Sequence, residues 1–368
     1  MHDWPSPQRS SKMYRGDCMK NPTILWWGRF DKNYSRNRIM RQSLKSLNYQ
    51  LMDFIPLISQ WGFAEATLRN IKKTDFVWVP CFRQRDIASA HKWCLKHNIK
   101  LIIDPLISSW DKRVNEKTNT LSKKSIHKIK QRESALFNKA DVVISDTVKH
   151  SELFIDDLLV KKNKIHTVFV GAEESIFTPQ KINHNDSNSF EVLFYGSFIT
   201  LQGTTVIIDA AKKMGADGIV KWTLLGNGPE LQLCKKLAGA SPNISFEASV
   251  AYEKLPARIH QADIILGIFG GSKKAGNVIP NKVFQALACG KTVVTRSSFA
   301  YPEKVRKTKQ GIIFISPNNS EELKNTIQHL VDNRGSIQAN NNSAREIYEK
   351  NFSQAIIINQ LKEVFRNL

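Results

Sequence analysis

The chain has 368 residues, more than one ordinary core accommodates, and suits two domains of about 150 to 180 residues each. Its 41% hydrophobic and 24% charged residues exclude a disordered chain, and no run approaches the ~20 apolar residues that span a bilayer. The net charge of +21 calls for an anionic partner, whether nucleic acid, an anionic membrane face or a phosphorylated substrate, and composition alone does not choose among them.

Residues 1–20 are polar and lack the apolar centre of a signal peptide, so they read as a flexible extension of a cytoplasmic protein. Strand patterns follow at 23–27, 51–55, 76–79, 101–104, 140–145 and 165–170, with helical patterns at 35–47, 87–96 and 148–159 between them. Buried Val- and Ile-rich runs separated by helices predict a parallel sheet covered on both faces, spanning 21–172. The densest basic run, 112–132, holds Lys123, Lys124, Lys128, Lys130 and Arg132 against the single acid Glu116. Ile126, Ile129, Leu136 and Ala140 recur there near helical spacing. That predicts a basic amphipathic helix, which either rests on anionic lipid headgroups or is a solvated helix face. About three-fifths of the charge surplus lies before residue 180.

Residues 173–189, with Thr178-Pro179 and a polar stretch at 183–189, read as a linker. The alternation then restarts. Strands are predicted at 191–195, 221–225, 244–247, 264–268, 292–295 and 311–315, with helices at 205–214, 229–237 and 281–288, in a second domain over 190–350. A last helix within 351–368 carries apolar Ile356, Ile357, Leu361, Val364 and Phe365 and can pack back on the first domain. The predicted fold class is therefore α/β, two Rossmann-like domains facing each other across a cleft at the carboxyl ends of their strands. Cys18, Cys81, Cys94, Cys234 and Cys289 are odd in number and lack metal spacing, so they read as reduced thiols, Cys289 as a small core residue.

Three turns of the second domain carry the chemistry. Phe194-Tyr195-Gly196-Ser197-Phe198 leads through Gln202-Gly203 into a helix, where backbone can approach a ligand and helix N–H groups are free for phosphate. Leu225-Gly226-Asn227-Gly228 is a second glycine turn, which a plain strand-to-helix connection explains nearly as well. In the third, Asn277 to Gly290, Asn281 is expected to cap a helix that Gly290 closes, with Lys282 in the first turn. A lysine there opposes the helix dipole, which a solvated surface tolerates and which is useful where an anion must be held.

In this order and spacing, the three turns resemble the retaining GT-B glycosyltransferases of family four, and the resemblance covers nearly the whole chain. Tyr34-Ser35-Arg36-Asn37-Arg38, Asp104-Pro105-Leu106, Asp146-Thr147-Val148-Lys149-His150 and Val170-Gly171-Ala172 resemble a bacterial branch of that family. The resemblance implies transfer of a sugar from a nucleotide-diphosphate donor to a glycan or lipid-linked acceptor, with retained configuration, no metal and no cofactor. It also implies that Lys282 contacts the diphosphate, that Gly196, Ser197, Gln202, Gly203 and Gly226 approach it, and that Val250 lies near the base. Gly28, Arg29 and Arg36 would face the same phosphates across the cleft, with Tyr34 beside Arg36 on the acceptor side. Asp104 would bond a sugar hydroxyl or else fix its own loop.

Many family members carry arginine and lysine where this chain has Ser197 and Gln202, and two glutamates where it has Asn277 and Gln285. A glutamine grips ribose hydroxyls less firmly than a carboxylate does. The alternative function is thus a weak or inactive GT-B protein serving as a nucleotide-sugar sensor or partner subunit. The basic first domain suits a peripheral enzyme at the inner membrane face, and no helix-turn-helix, zinc or aromatic RNA-binding motif accompanies the charge, so no specific nucleic acid is expected.

Overall fold

The structure, a computed structural model, describes residues 21–116, 122–180, 189–215, 219–366 and 368. The extension at 1–20 with Cys18, and the linker's polar stretch at 183–188, lie outside the described residues.

The first domain contains β1 (Thr23–Trp27), β2 (Gln50–Phe54), β3 (Phe76–Val79), β4 (Lys100–Ile103), β5 (Val142–Ser145) and β6 (Ile165–Thr167). They form one parallel sheet in the order β2-β1-β3-β4-β5-β6. Strand side chains alternate between faces, and here both faces are apolar. Leu25, Trp27, Val77 and Ile103 enter one buried cluster, while Ile24, Trp26, Trp78 and Ile102 enter the other. Trp26 and Trp78, opposite each other in the β1–β3 register, stack at 5.3 Å. Unbroken apolar runs such as TILWW and FVWV are therefore what a sheet covered on both sides requires.

The second domain contains β7 (Phe190–Ser197), β8 (Val220–Asn227), β9 (Ile244–Glu247), β10 (Ile264–Leu266), β11 (Val293–Arg296) and β12 (Ile312–Ile315). These form a second parallel sheet in the order β12-β11-β10-β7-β8-β9. One of its faces buries Phe194, Trp222 and Leu266. The other buries Leu193, Tyr195 and Ile265 in a cluster that also takes Cys81, Leu106 and Phe169 from the first domain. The domains thus share a core. Phe177 belongs to it and Ile176 packs against it, so this part of the expected linker is packed.

Helix Gln354–Arg366 places Ile357, Leu361 and Val364 against Trp26, Ile39 and Leu44 of the first domain. The chain reaches it from helix Ile337–Asn351 through Phe352, whose ring sits edge-on to Phe169 at 5.2 Å and to Phe284 at 5.0 Å. The basic run differs from expectation. It is split between helix Ser109–Glu116 and helix Lys123–Phe137, the latter capped by Ser122, and Ala140 falls beyond its end. Cys81, Cys94, Cys234 and Cys289 are buried free thiols. Among the described residues no helix is long and apolar enough to cross a membrane.

Candidate functional site

Parallel strands point their carboxyl ends the same way, and ligands of open α/β sheets gather there. The loops leaving both sheets at those ends enclose a cleft of about 610 Å³, lined by Tyr34, Phe82 and Leu106 from the first domain and by Gly196, Gln202 and Lys282 from the second.

Lys282 is the centre of the second-domain wall. It lies in the first turn of helix Asn281–Ala288 and is only 5% exposed. Its Nζ donates to Gln202 Oε1 at 2.6 Å and to Gly267 O at 3.4 Å, and sits 3.6 Å from the centroid of the Phe194 ring. No carboxylate lies against it among the described residues, and burial holds its pKa well below the ordinary lysine value. An ammonium without a counter-ion in so dry a place is costly, and a bound anion would offset that cost. Pro280, not the expected Asn281, is the helix N-cap; it has no side-chain acceptor, and its carbonyl accepts from Val283 N–H at 2.9 Å. Asn281 is freed to approach the Tyr34 hydroxyl.

Backbone shape makes room for this cation. Gly196 has φ 144°, and a Cβ there would stand 3.2 Å from Lys282 Nζ. Gly203 has φ 67°, and its Cβ would come within 2.5 Å of Gly270 N, so the turn carrying Gln202 can lie on the loop after β10 only without a side chain. A Cβ on Gly226 would strike Gly196 O at 2.0 Å. Gly226 therefore lets β8 run close to β7, where it pairs with Gly196, and it does not line the cleft. Ser197 is exposed on the cleft wall.

Gln285, one turn along the helix from Lys282, also lines the cleft. Tyr195 Oη stands 3.1 Å from both Lys282 O and Gln285 Oε1, and its one proton serves one of them. Val250 is 39% exposed and lies off the cleft lining, where its segment contributes Tyr252 and Leu255 instead. Asn277 is buried and joins the domains through its backbone, its carbonyl accepting from Thr147 Oγ1 at 2.7 Å.

The first-domain expectations change most. Arg36 is 0% exposed and Asp104 1%; Arg36 Nε and Nη2 bond the two Asp104 oxygens at 2.9 and 3.1 Å, and Nη1 bonds Val168 O and Phe169 O. Both charges are consumed in fastening the loop after β4 to the segment after β6. Neither Arg36 nor Asp104 lines the cleft. Gly28 is buried against Arg83 and Asp86, and Arg29 turns away to donate to Leu57 O at 3.1 Å, so neither lines the cleft. Tyr34 does line it, its ring edge-on to Phe82 at 5.0 Å.

Two groups receive no role in the sequence argument, although Leu106, Asp146 and His150 stand in its quoted motifs. Phe82 and Leu106, both cleft-lining, hold φ of 63° and 62°, a conformation unfavourable for bulky residues that marks constrained backbone at sites. His150 is 1% exposed and places Nδ1 2.5 Å from Asp146 Oδ1. Burial disfavours its imidazolium, but Asp146 and Asp111 outweigh that and push its pKa up, with Lys274 opposing them. The i, i+4 spacing of Asp146 and His150 on a strand-to-helix turn was the available signal.

Comparison with known proteins bears on the fold that carries this cleft. Residues 189–333 match the family described as "Glycosyl transferases group 1". No curated protein matches. Among solved structures, HepE of Anabaena in complex with UDP aligns with TM-score 0.71 at 14% identity, over 94% of this chain and 100% of that one. Sucrose-phosphate synthase from Thermosynechococcus elongatus aligns with TM-score 0.74 at 14% identity, over 94% and 98%. The lipopolysaccharide outer core galactosyltransferase WaaB aligns with TM-score 0.64 at 12% identity, over 94% and 100%. The chain therefore has the GT-B fold, and its second domain, which carries Lys282, matches the group 1 glycosyl transferases over residues 189–333.

Proposed function

We propose that the protein is a glycosyltransferase that moves a sugar, with retained anomeric configuration and without a metal, from a nucleotide-diphosphate donor to a glycan or lipid-linked acceptor. The observation that carries this reading is the buried Lys282 on the cleft wall, in the first turn of a helix and with no carboxylate against it among the described residues. A departing diphosphate accumulates negative charge on its bridging oxygen. Lys282, buried in the cleft wall, would stabilise that charge as an ammonium, which lowers the barrier to sugar departure. The match over 189–333 and the UDP bound to HepE support this assignment. Tyr34, Phe82 and Leu106 would then offer the acceptor an aromatic and apolar wall. We also propose that the enzyme works at the inner membrane face, where the exposed Lys123, Lys124, Lys128 and Arg132 would meet anionic lipid.

The test is a thermal-shift screen of nucleoside diphosphates and nucleotide sugars, followed by product analysis with and without EDTA. We expect stabilisation by at least one nucleotide sugar and transfer that EDTA leaves unchanged. No stabilisation at millimolar ligand would remove the donor site. Stabilisation without hydrolysis or transfer would favour a nucleotide-sugar sensor or partner subunit, the role suited to the neutral Ser197, Gln202 and Gln285.

A further inference from the structure

The loop between β2 and helix Gly62–Leu68 leaves the first sheet at its cleft edge. It carries Leu57 at 71% exposure, Ile58 at 50% and Trp61 at 70%. Single exposed apolar residues are ordinary, but three within five positions are not. Trp61 is the one exposed tryptophan among the described residues, since Trp26, Trp27, Trp78, Trp93 and Trp222 are core and Trp110 is half-buried.

This loop is held by cations. Arg29 donates to Leu57 O, and Arg83 Nη2 donates to Ser59 Oγ at 3.0 Å. Arg83 follows Phe82, which lines the cleft, so the apolar loop adjoins the acceptor side. Two residues on, Arg85 is exposed and lines a groove of about 200 Å³ with Arg113, Arg132 and Ile129. One short segment, 82–85, thus joins the cleft, the apolar loop and the basic helices.

We propose that this apolar loop is the membrane anchor of the protein, inserting Leu57, Ile58 and Trp61 into an anionic bilayer while the neighbouring arginines meet its headgroups. The inference rests on the lipid-linked-acceptor form of the function above. A bilayer fits because it offers both required surfaces at one depth: anionic headgroups outside and hydrocarbon beneath. Tryptophan favours that boundary, having an apolar body and one N–H donor. A nucleic acid would match the arginines but leave Leu57 and Ile58 in water. The anchor adjoins Phe82, so an acceptor carried in the membrane would arrive beside the cleft mouth.

The experiment is co-sedimentation of the full chain with vesicles of phosphatidylcholine containing phosphatidylglycerol, and with phosphatidylcholine alone. The parent should bind the anionic vesicles, weaken with salt, and show a blue shift of tryptophan emission. Leu57→Ser with Trp61→Ser, both at exposed positions, should bind at least about tenfold more weakly, since each apolar side chain taken into lipid is worth roughly that factor. It should lose the blue shift and keep the nucleotide thermal shift. Equal vesicle binding by parent and variant would overturn the inference. Failure of the parent to bind either vesicle while the nucleotide shift persists would also overturn it and leave the patch to a protein partner. Loss of the nucleotide shift in the parent would instead strike at the donor-site reading.

Discussion

Replacing Lys282 with methionine keeps most of the side chain's length and removes only its charge and donors. In the free protein two effects oppose each other. The buried ammonium is no longer desolvated without a counter-ion, which stabilises the fold, whereas Gln202 Oε1 and Gly267 O lose a donor and the contact with Phe194 weakens. These effects are of similar size, so the free variant should stay within about 2 kcal/mol of the parent. Ligand binding has no such cancellation. A charge-assisted hydrogen bond to a phosphate oxygen is worth about 1.5 to 3 kcal/mol, so Lys282→Met should weaken UDP binding by roughly 10- to 150-fold. Calorimetry with UDP against uridine separates the cause: uridine, lacking phosphate, should bind both proteins alike. UDP affinity of the parent should also fall as pH rises through the lowered lysine pKa that burial produces. The folding penalty from this lysine is full below that folded pKa and vanishes as pH rises toward the unfolded value of 10.5. A variant whose Kd for UDP stays within about twofold of the parent would refute the phosphate role.

Asp104→Asn leaves Arg36 buried and half-paired, so urea unfolding should show a loss of about 3 to 5 kcal/mol; unchanged stability with a collapsed rate would instead return Asp104 to the chemistry. His150 stabilises the fold because its folded pKa is raised by Asp146 and Asp111 against burial and Lys274. That contribution is fully present below the unfolded histidine value near ~6.5 and is lost as pH rises through the raised folded value. The melting temperature of the parent should therefore exceed that of His150→Gln most at acidic pH, with the gap closing above the raised pKa; a gap independent of pH would refute the ion pair.

Much of the fold is legible in the chain. Runs such as TILWW and FVWV allow no polar face, and a strand with two apolar faces needs cover on both sides, so parallel sheets follow from local pattern. The place of Lys282 in the first turn of a helix was legible as well, because the stretch from Asn277 to Gly290 reads as a turn, a helix and a closing glycine. Boundaries drifted where caps decided them. Pro280 took the capping position because its extended backbone, ψ 146°, ends the turn before Asn281 enters the helix.

Sequence by itself determined two α/β units, their order and the helix that presents Lys282, because those follow from periodicity over a few residues. Tertiary structure alone decided what each charge does. Arg36 and Asp104 are 68 positions apart, and Lys282 and Gln202 are 80 apart. Their pairings depend on how strands are ordered in each sheet, which local pattern does not encode. Arg36 thereby spends its charge inside the first domain, while Lys282 meets neutral oxygens and an aromatic ring among the described residues, and burial disfavours its charge until an anion binds.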